Sequence, residues 1–251
     1  MKQISSKKIY IFITSILSLV VLSGCGLGSS GPAADGGFFV SYNSAETWEA
    51  KNLVSQTEAG AVTISTLDSA EIIFDPQDPL IMYFISRNNG IYRSIDGGEK
   101  WSLTTLSNGS YSALAVDPVN SDIIYAAQGV TILKSVDGMG TWATIYVETR
   151  PKQTLTSLTV DSFDPSIIYA STQSFVIKSE DFGTTWRSLD WTGTFATKLF
   201  MSKQDTRTLY LHSLNYGLYK TVDGGETWTD LSEGLLDYRG SNIISAESNV
   251  E

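Results

Sequence analysis

The chain has 251 residues, of which 42% are hydrophobic, 11% aromatic and 18% charged, and its formal net charge is −10. This composition excludes a disordered or collagen-like chain, and the acidic charge disfavours nucleic-acid binding, which needs cations that neutralise phosphates. One cysteine and one histidine exclude an internal disulfide and a Cys/His zinc cluster. A calcium site made of carboxylates alone stays open, although we expect no metal and no cofactor.

Residues 1–24 have the pattern of a bacterial export signal. Three lysines precede an apolar run over residues 9–22, which is short for a membrane-spanning helix and has the length of a signal-peptide core. The run ends in Leu22-Ser23-Gly24-Cys25, which resembles the lipobox of bacterial lipoproteins. The resemblance implies cleavage before Cys25, lipid on its thiol and new amino group, and a membrane-anchored extracytoplasmic protein.

The segment after the signal is predicted to be a tether. Residues 25–37 comprise the lipidated Cys25 and a flexible stretch of small residues. Loss of three lysines with the signal leaves 14 Lys and Arg against 27 Asp and Glu. Anionic headgroups repel such a surface, so the acyl chains must supply the anchoring. By analogy with lipoproteins, Gly26 in place of an Asp after the cysteine favours the outer membrane of a two-membrane cell.

The remainder, residues 38–251, is built from repeats. Five eight-residue segments, here called boxes 1 to 5, are SYNSAETW (41–48), SIDGGEKW (94–101), SVDGMGTW (135–142), SEDFGTTW (179–186) and TVDGGETW (221–228). Their tryptophans are Trp48, Trp101, Trp142, Trp186 and Trp228, at spacings of 53, 41, 44 and 42. A second marker keeps the same phase: Tyr83, Tyr125, Tyr169 and Tyr210, each eight residues after Asp75, Asp117, Asp161 or Ser202. A period of this length is typical of a solenoid or a propeller.

Each repeat is predicted to form four short strands. In the second repeat they fall at residues 113–117, 123–127, 130–136 and 141–147, which are rich in Val, Ile, Thr and Tyr and separated by turn residues. No stretch after residue 37 has a sustained helical period. The sequence therefore predicts an all-β propeller of four-stranded blades, with about five blades represented.

The boxes are predicted to be the turns between strands three and four. Their acidic residues, Asp96, Asp137, Asp181 and Asp223, are suited to accept hydrogen bonds from backbone N–H groups of the turn. Glycines such as Gly98, Gly183 and Gly225 take positive φ without steric cost. The closing tryptophan is expected to bury a large face against a neighbouring strand.

The boxes resemble the Asp-box, or bacterial neuraminidase repeat, S-x-D-x-G-x-T-W. Box 4 matches in full and box 5 differs only at Thr221, whereas box 2 has Lys100, box 3 has Met139 and box 1 has Asn43 and Ala45 at pattern positions. The family includes sialidases, xyloglucanases, sortilin-like receptors and photosystem II stability/assembly-factor-like proteins. In it the box is a structural turn away from the catalytic face, so the resemblance implies fold and not activity.

The blade count leaves two interpretations open. The flanks of box 1 supply only strands three and four of the first blade, and residues 242–246 fit a returning strand one. The next marker tyrosine falls near position 254, beyond Glu251. Either a five-bladed ring closes with a defective blade, or the sequence is the N-terminal part of a longer propeller. We favour the second, because an open ring exposes strand edges.

Catalytic chemistry is thinly represented, and no catalytic residue is assigned. A sialidase resemblance would call for an Arg-Ile-Pro segment, which is absent, and Arg93 occupies a lysine position of the other repeats, so it is interpreted as scaffold. A glycoside hydrolase of the xyloglucanase kind needs two facing carboxylates, for which only the out-of-phase Asp68, Asp190 and Asp237 stand out. His212 lies in a repeat strand with no nucleophile motif and is predicted to be packed.

Binding is the function that the sequence favours. Loops between strands two and three and links between blades usually form one rim of a propeller, and exposed aromatic and amide side chains there suit a protein loop or a glycan. The candidate rim residues are Arg87, Asn88, Asn89, Tyr111, Gln128, Arg150, Lys152, Gln173, Trp191, Asn215 and Tyr216. Trp191 lies outside the box phase and is alternatively a cap on a blade edge. We expect a monomeric, non-enzymatic binding or assembly scaffold, with a secreted glycosidase as the rival.

Overall fold

The structure is a computed structural model that describes residues 37–58, 60–189, 191, 195–214 and 216–233. These residues form twenty β-strands, and no helix among them is long and apolar enough to cross a membrane. The signal, the tether, Cys25, Asp190, Asn215, Asp237 and residues 242–246 lie outside the described residues.

Sixteen strands form four antiparallel four-stranded sheets, the blades of a propeller. Blade 1 contains β5 (Ser69–Phe74), β6 (Met82–Ser86), β7 (Ile91–Ser94) and β8 (Ser102–Leu103). Blade 2 contains β9 (Ala113–Val116), β10 (Ile124–Gln128), β11 (Thr131–Ser135) and β12 (Ala143–Val147). Blade 3 contains β13 (Leu155–Val160), β14 (Ile168–Thr172), β15 (Val176–Ser179) and β16 (Arg187–Leu189). Blade 4 contains β17 (Ala196–Met201), β18 (Leu209–Ser213), β19 (Gly217–Thr221) and β20 (Thr229–Asp230).

Two hairpins precede the blades. The first pairs β1 (Phe39–Val40) with β2 (Glu49–Ala50), which are the two strands expected around box 1. The second pairs β3 (Leu53–Thr57) with β4 (Gly60–Thr63), and the repeat pattern did not predict it. It occupies the ten or so extra residues that make the first tryptophan spacing, 53, longer than the others.

The prediction of an all-β propeller is confirmed. In blade 2 the four observed strands lie within one or two residues of the four segments expected from the sequence. Their order within the sheet follows the chain, because each turn joins neighbouring antiparallel strands.

The core lies between blades rather than within a blade. The first strands β5, β9, β13 and β17 lie side by side in sequence order, and one hydrophobic cluster fills each gap between neighbouring blades. A fourth cluster packs the N-terminal hairpins against blade 1 through Phe38, Ile64, Phe84 and Trp101. Blades 1 to 3 therefore bury both faces of their sheets, which explains the nearly continuous apolar runs of their second strands.

The same hydrogen bonds hold every box turn. In box 3, Met139 N donates to Ser135 Oγ at 3.0 Å and Thr141 N donates to Asp137 Oδ1 at 2.8 Å. Boxes 2, 4 and 5 repeat both bonds. Box 1 repeats them as well, because the Asn43 amide oxygen accepts from Thr47 N at 2.9 Å in place of a carboxylate. The least regular box by sequence therefore folds like the others.

Each box contains two consecutive residues with positive φ. The sequence indicated a glycine only at the second of these positions. In box 3 that position is Met139, with φ +78°, and its side chain is buried in the cluster between blades 1 and 2. Burial of the thioether offsets the cost of the left-handed backbone, which explains why methionine stands where other boxes have glycine.

The box tryptophans pack back onto the preceding structural unit. Trp142, Trp186 and Trp228 are half-buried and border the clusters between successive blades. Trp101 is fully buried, and its Nε1 donates to Lys51 O at 2.7 Å. Trp48 is 43% exposed, because no described strand precedes it to cover the ring. The expected burial is thus correct for four boxes and wrong for box 1.

Candidate functional site

The two ends of the propeller differ in construction. At one end, here called the box face, the box turns lie on the turns between strands one and two, as when Gly138 N donates to Asp122 O at 3.0 Å. The other end carries the loops between strands two and three and the links between blades. This second end is the rim, and every candidate binding residue that the structure describes belongs to it.

The phase-holding residues serve the scaffold. Asp75, Asp117 and Asp161 each accept two backbone N–H bonds in the turn after strand one, and Ser202 Oγ takes the same role in blade 4. The marker tyrosines lie beneath the cation of strand three, with Lys134 Nζ 5.3 Å from the Tyr125 ring centroid. Arg93 covers Tyr83 in the same way, as its repeat position predicts. Burial raises the pKa of Tyr83 to about 12, so the phenol stays neutral.

Blade 1 presents an exposed polar group on the rim. Arg87 Nε lies 3.3 Å from Asp68 Oδ1, and both side chains are well exposed. Asn88 is exposed, and Asn89 forms an isolated bridge to Gly109 in the link to blade 2. Asp68, the one described acid among the out-of-phase candidates, therefore pairs with an arginine.

The rim between blades 2 and 3 is a preorganised ionic cluster. Arg150 donates to both carboxylate oxygens of Glu148, at 2.8 and 2.5 Å, and to Ser188 Oγ at 2.9 Å. Its guanidinium lies 3.9 Å from the centroid of the Phe175 ring. The Glu148 side chain is only 1% exposed. Because hydrogen bonds from Arg150 stabilise the carboxylate, the pKa of Glu148 falls to about 2. The hydrogen bonds of Arg150 thus join blades 2 and 3.

Replacing Arg150 with alanine is expected to lower the free energy of unfolding at neutral pH. The variant should also lose less of that free energy than the natural chain when the pH is lowered. A carboxyl group whose pKa is depressed in the folded protein stabilises the fold at pH values above its ordinary pKa near 4.5. This stabilisation is lost as the pH falls through about 2. R150A leaves Glu148 buried without its cation, so the variant and the natural chain differ most at neutral pH and converge at low pH. Urea unfolding at neutral pH and at about pH 3 measures this.

The matched control for that variant is R87A, which removes an exposed ion pair. Arg87 and Asp68 are 59% and 66% exposed, so their pairing is screened by solvent and R87A should leave the free energy of unfolding nearly unchanged. A loss of stability in R87A equal to that in R150A, or an R150A deficit as large at about pH 3 as at neutral pH, would contradict the role given to Arg150.

Two rim candidates are not surface residues. Tyr111 is 4% exposed, and its hydroxyl donates to Asn108 O at 3.1 Å, so it supports the link between blades 1 and 2. Trp191 is 5% exposed and packs edge-on against Tyr219, with ring centroids 5.9 Å apart. The expectation of exposed aromatic side chains was wrong for both, because the gaps between blades take up bulky rings from the links. Trp191 is the blade cap that the sequence left as its alternative.

The remaining rim candidates vary in exposure. Gln128 is half-buried, and its amide lies so close to Gly109 that a Cβ there would be 2.6 Å from Nε2. Lys152 and Gln173 are exposed. Tyr216 is 48% exposed and stacks on Phe195, a residue that sequence reasoning missed. The only signal for Phe195 was its position in a link beside Trp191.

Candidate catalytic groups are not brought together among the described residues. His212 is buried, and its Nδ1 lies 2.7 Å from Thr197 Oγ1, so burial lowers the pKa of the imidazole and the predicted packed role fits. Glu71 of blade 1 pairs with Lys198 of blade 4, which joins the inner strands of these two blades. The described residues contain no group of three or more His, Cys, Asp or Glu that could hold a metal ion.

No family model and no curated protein matches the sequence, whereas many solved structures match its fold. The GH74 xyloglucanase from Xanthomonas campestris superimposes with a TM-score of 0.56 and 17% identity, over 66% of this chain and 30% of its own. An ancestral GH74 enzyme gives a TM-score of 0.55 and 19% identity, over 71% of this chain and 24% of its own. YCF48 with a bound D1 peptide gives 0.53 and 13%, over 67% and 57%.

These likenesses establish the propeller fold. The chain spans 24 to 30% of the GH74 structures and a little over half of YCF48. At such identities the same fold accommodates an enzyme and a peptide-binding protein, so function must be argued from the residues of the rim.

Proposed function

We propose that this protein is a lipid-anchored, extracytoplasmic propeller that acts as a non-enzymatic binding or assembly scaffold. The observation that carries the proposal is a difference between the residues at the two ends of the blades. Residues that recur in phase are engaged in turn hydrogen bonds and cation–tyrosine contacts, whereas Asn88, Gln173 and Tyr216 on the rim recur in no phase and remain exposed. Exposed loop residues on a rigid scaffold are where binding surfaces are usually built.

The N-terminal sequence supports the location. Lipidation of Cys25 after removal of residues 1–24 would hold the propeller at a membrane surface through the tether of residues 26–37. The box sequences and their shared hydrogen bonds support membership of the Asp-box family. The outer membrane is favoured by Gly26.

A protein partner is supported by one structural neighbour. YCF48 has been solved with a D1 peptide bound, and it shares the propeller fold with this chain. A role in the assembly of a membrane protein fits a propeller held by a lipid at the same surface. The partner contacts the rim, which lies opposite the acidic turns of the box face.

The second candidate is a glycoside hydrolase, which the GH74 neighbours favour. Hydrolysis needs a carboxylic acid and a carboxylate on opposite sides of the scissile bond. Asp68 is the described acid best placed for such a role, because it is exposed on the rim and out of phase. Its pairing with Arg87 argues for a structural ion pair instead.

Reducing-sugar release from xyloglucan separates the two candidates. The scaffold proposal predicts no turnover by the full-length chain in detergent, whereas the hydrolase alternative predicts turnover that D68N abolishes while the fold is retained. In parallel, photo-crosslinkers placed in cells at Asn88 and at Val136 compare the rim with the box face, since both side chains are exposed. A discrete crosslinked partner is expected from position 88 only, and equal crosslinking from both positions would count against a binding rim.

The lipid anchor has its own test. Cells that express the chain are expected to incorporate labelled palmitate into it, and C25S should lose the label. Retention of the label in C25S would refute lipidation at this cysteine. S23A, which keeps a lipobox-compatible residue, is the matched control and should be labelled normally.

A further inference from the structure

Two aromatic rings form an open platform on the rim at the junction of blades 3 and 4. Phe195, in the link before β17, and Tyr216, in the loop between β18 and β19, are 52% and 48% exposed. Their planes differ by only 7°, and their centroids are 6.3 Å apart. Fully overlapping rings would be nearer, at about 3.5–4 Å, so these rings are offset and each keeps an open area facing solvent.

The backbone at Phe195 is strained without the burial that would offset the strain. Its φ is +57°, in the left-handed region where a bulky side chain is disfavoured relative to glycine. At Met139 a similar φ is offset by complete burial, and at Phe182 the box turn itself requires it. Phe195 has neither explanation, since half of its ring faces water. Strain that burial does not offset is a feature of functional positions.

The immediate supports of the platform are uncharged. Leu214 N donates to Phe195 O at 2.9 Å, and Ala196 N donates to Gln173 O at 3.0 Å, so three rim segments are fixed to one another. Gln173, whose backbone carbonyl accepts from the residue after Phe195, has an exposed side-chain amide, and Leu214 adds a partly exposed apolar side chain. In a chain with a net charge of −10, this arrangement fits a ligand without charge.

We propose that Phe195 and Tyr216 form a binding platform for a neutral glycan, with Gln173 as a hydrogen-bonding partner. A pyranose presents an apolar C–H face and a rim of hydroxyl groups, which match parallel aromatic faces and an adjacent amide. The exposed ring area gives a sugar unit an apolar surface on which to stack. The inference rests on the proposed binding role of the rim and names the ligand class for one part of it.

An apolar peptide is the competing occupant, and the geometry disfavours it. Anchor residues at protein interfaces insert into closed, desolvated pockets. The Phe195 and Tyr216 rings lie nearly in parallel planes and remain half-exposed, which suits a flat ligand more than an inserted side chain.

Ligand titration observed by saturation-transfer NMR and calorimetry tests the platform. The probes are cellohexaose and a xyloglucan heptasaccharide, added to the full-length chain in detergent. We expect binding of at least one probe, and a loss of about tenfold or more in affinity in both F195G and Y216A, since each removes one stacking surface. F195G should also be at least as stable as the natural chain, because glycine accepts the positive φ.

Phe182 offers a matched control on the opposite face. It has φ +58° and is 47% exposed, so F182G makes the same chemical change in the same backbone conformation within a box turn. F182G should bind the probes as the natural chain does. Equal loss in F182G, or unchanged affinity in F195G and Y216A, would overturn the platform.

The proposal also fails if neither probe binds at millimolar concentration. That result would leave the scaffold function standing if the crosslinker at position 88 still captures a discrete partner. Loss of that crosslink in Y216A without any glycan binding would show that the rings belong to a protein interface, and the glycan assignment would then be wrong.

Discussion

Replacing Trp101 with alanine is expected to lower the free energy of unfolding by about 3–5 kcal/mol, as buried tryptophan truncations do. The ring is fully buried and contacts Phe38 and Phe84 edge-on, at centroid distances of 5.6 and 6.0 Å. W101A leaves a large cavity between the N-terminal hairpins and blade 1. It also leaves Lys51 O without its indole donor, which adds to the loss. Urea unfolding followed by far-UV circular dichroism measures the change.

The tryptophan at the equivalent position of box 1 provides the control. Trp48 occupies the equivalent turn but is 43% exposed, so W48A should cost less than about 1 kcal/mol. If W48A were as damaging as W101A, the box tryptophan would stabilise its own turn and not the packing between units. The comparison therefore tests whether the repeats are held together mainly across their interfaces.

The fold could be predicted from the sequence because the repeat supplied several independent observations of one unit. Period, turn chemistry and strand composition agreed, and the four strands of blade 2 fell where they were expected. The hairpin of β3 and β4 was missed because it occurs once, and a single insertion has no second copy to align.

Details of side-chain environment were harder to predict. The box pattern places a small residue at the second of the two left-handed positions of the turn. It does not reveal the first, which serine occupies in box 1 and phenylalanine in box 4. Met139 departs from the box pattern, yet its turn forms as in the other boxes. Its side chain is buried against the neighbouring blade, and this contact is not visible in the pattern. Contacts between blades involve residues about 40 positions apart, and local sequence does not show them.

The candidate site could be predicted only as a region. Loop position predicted which side chains share one end of the blades, but not which aromatic side chains reach water. Tyr111 and Trp191 turn into gaps between blades, whereas Phe195 and Tyr216 remain outside. Residue type is aromatic in all four cases, so it does not distinguish the two outcomes.

Replacing Gly90 with alanine is expected to be strongly destabilising, because a Cβ at this position would clash with the backbone. Gly90 has φ +79°, and a Cβ there would lie 2.2 Å from Leu106 O and 2.8 Å from the carbonyl carbon of Ser107. Backbone atoms cannot rotate away as a side chain can, so the link from blade 1 to blade 2 would have to move. We therefore expect G90A to combine a left-handed backbone cost with overpacking, about 2–5 kcal/mol in all.

Gly129 lies in the corresponding loop of blade 2, with φ +59° and no heavy atom within 4 Å of the position that a Cβ would take. G129A should carry the backbone cost alone, about 1–2 kcal/mol. Thermal and urea unfolding of both variants separate the two contributions, and equal losses would mean that the link yields freely at Leu106. In that case the rim of blade 1 would be a deformable surface, and a partner at Asn88 would have to order it on binding. A larger loss in G90A would instead support a rim that is rigid before any partner arrives, because Gly90 N also donates to Gly109 O and fixes both loops together.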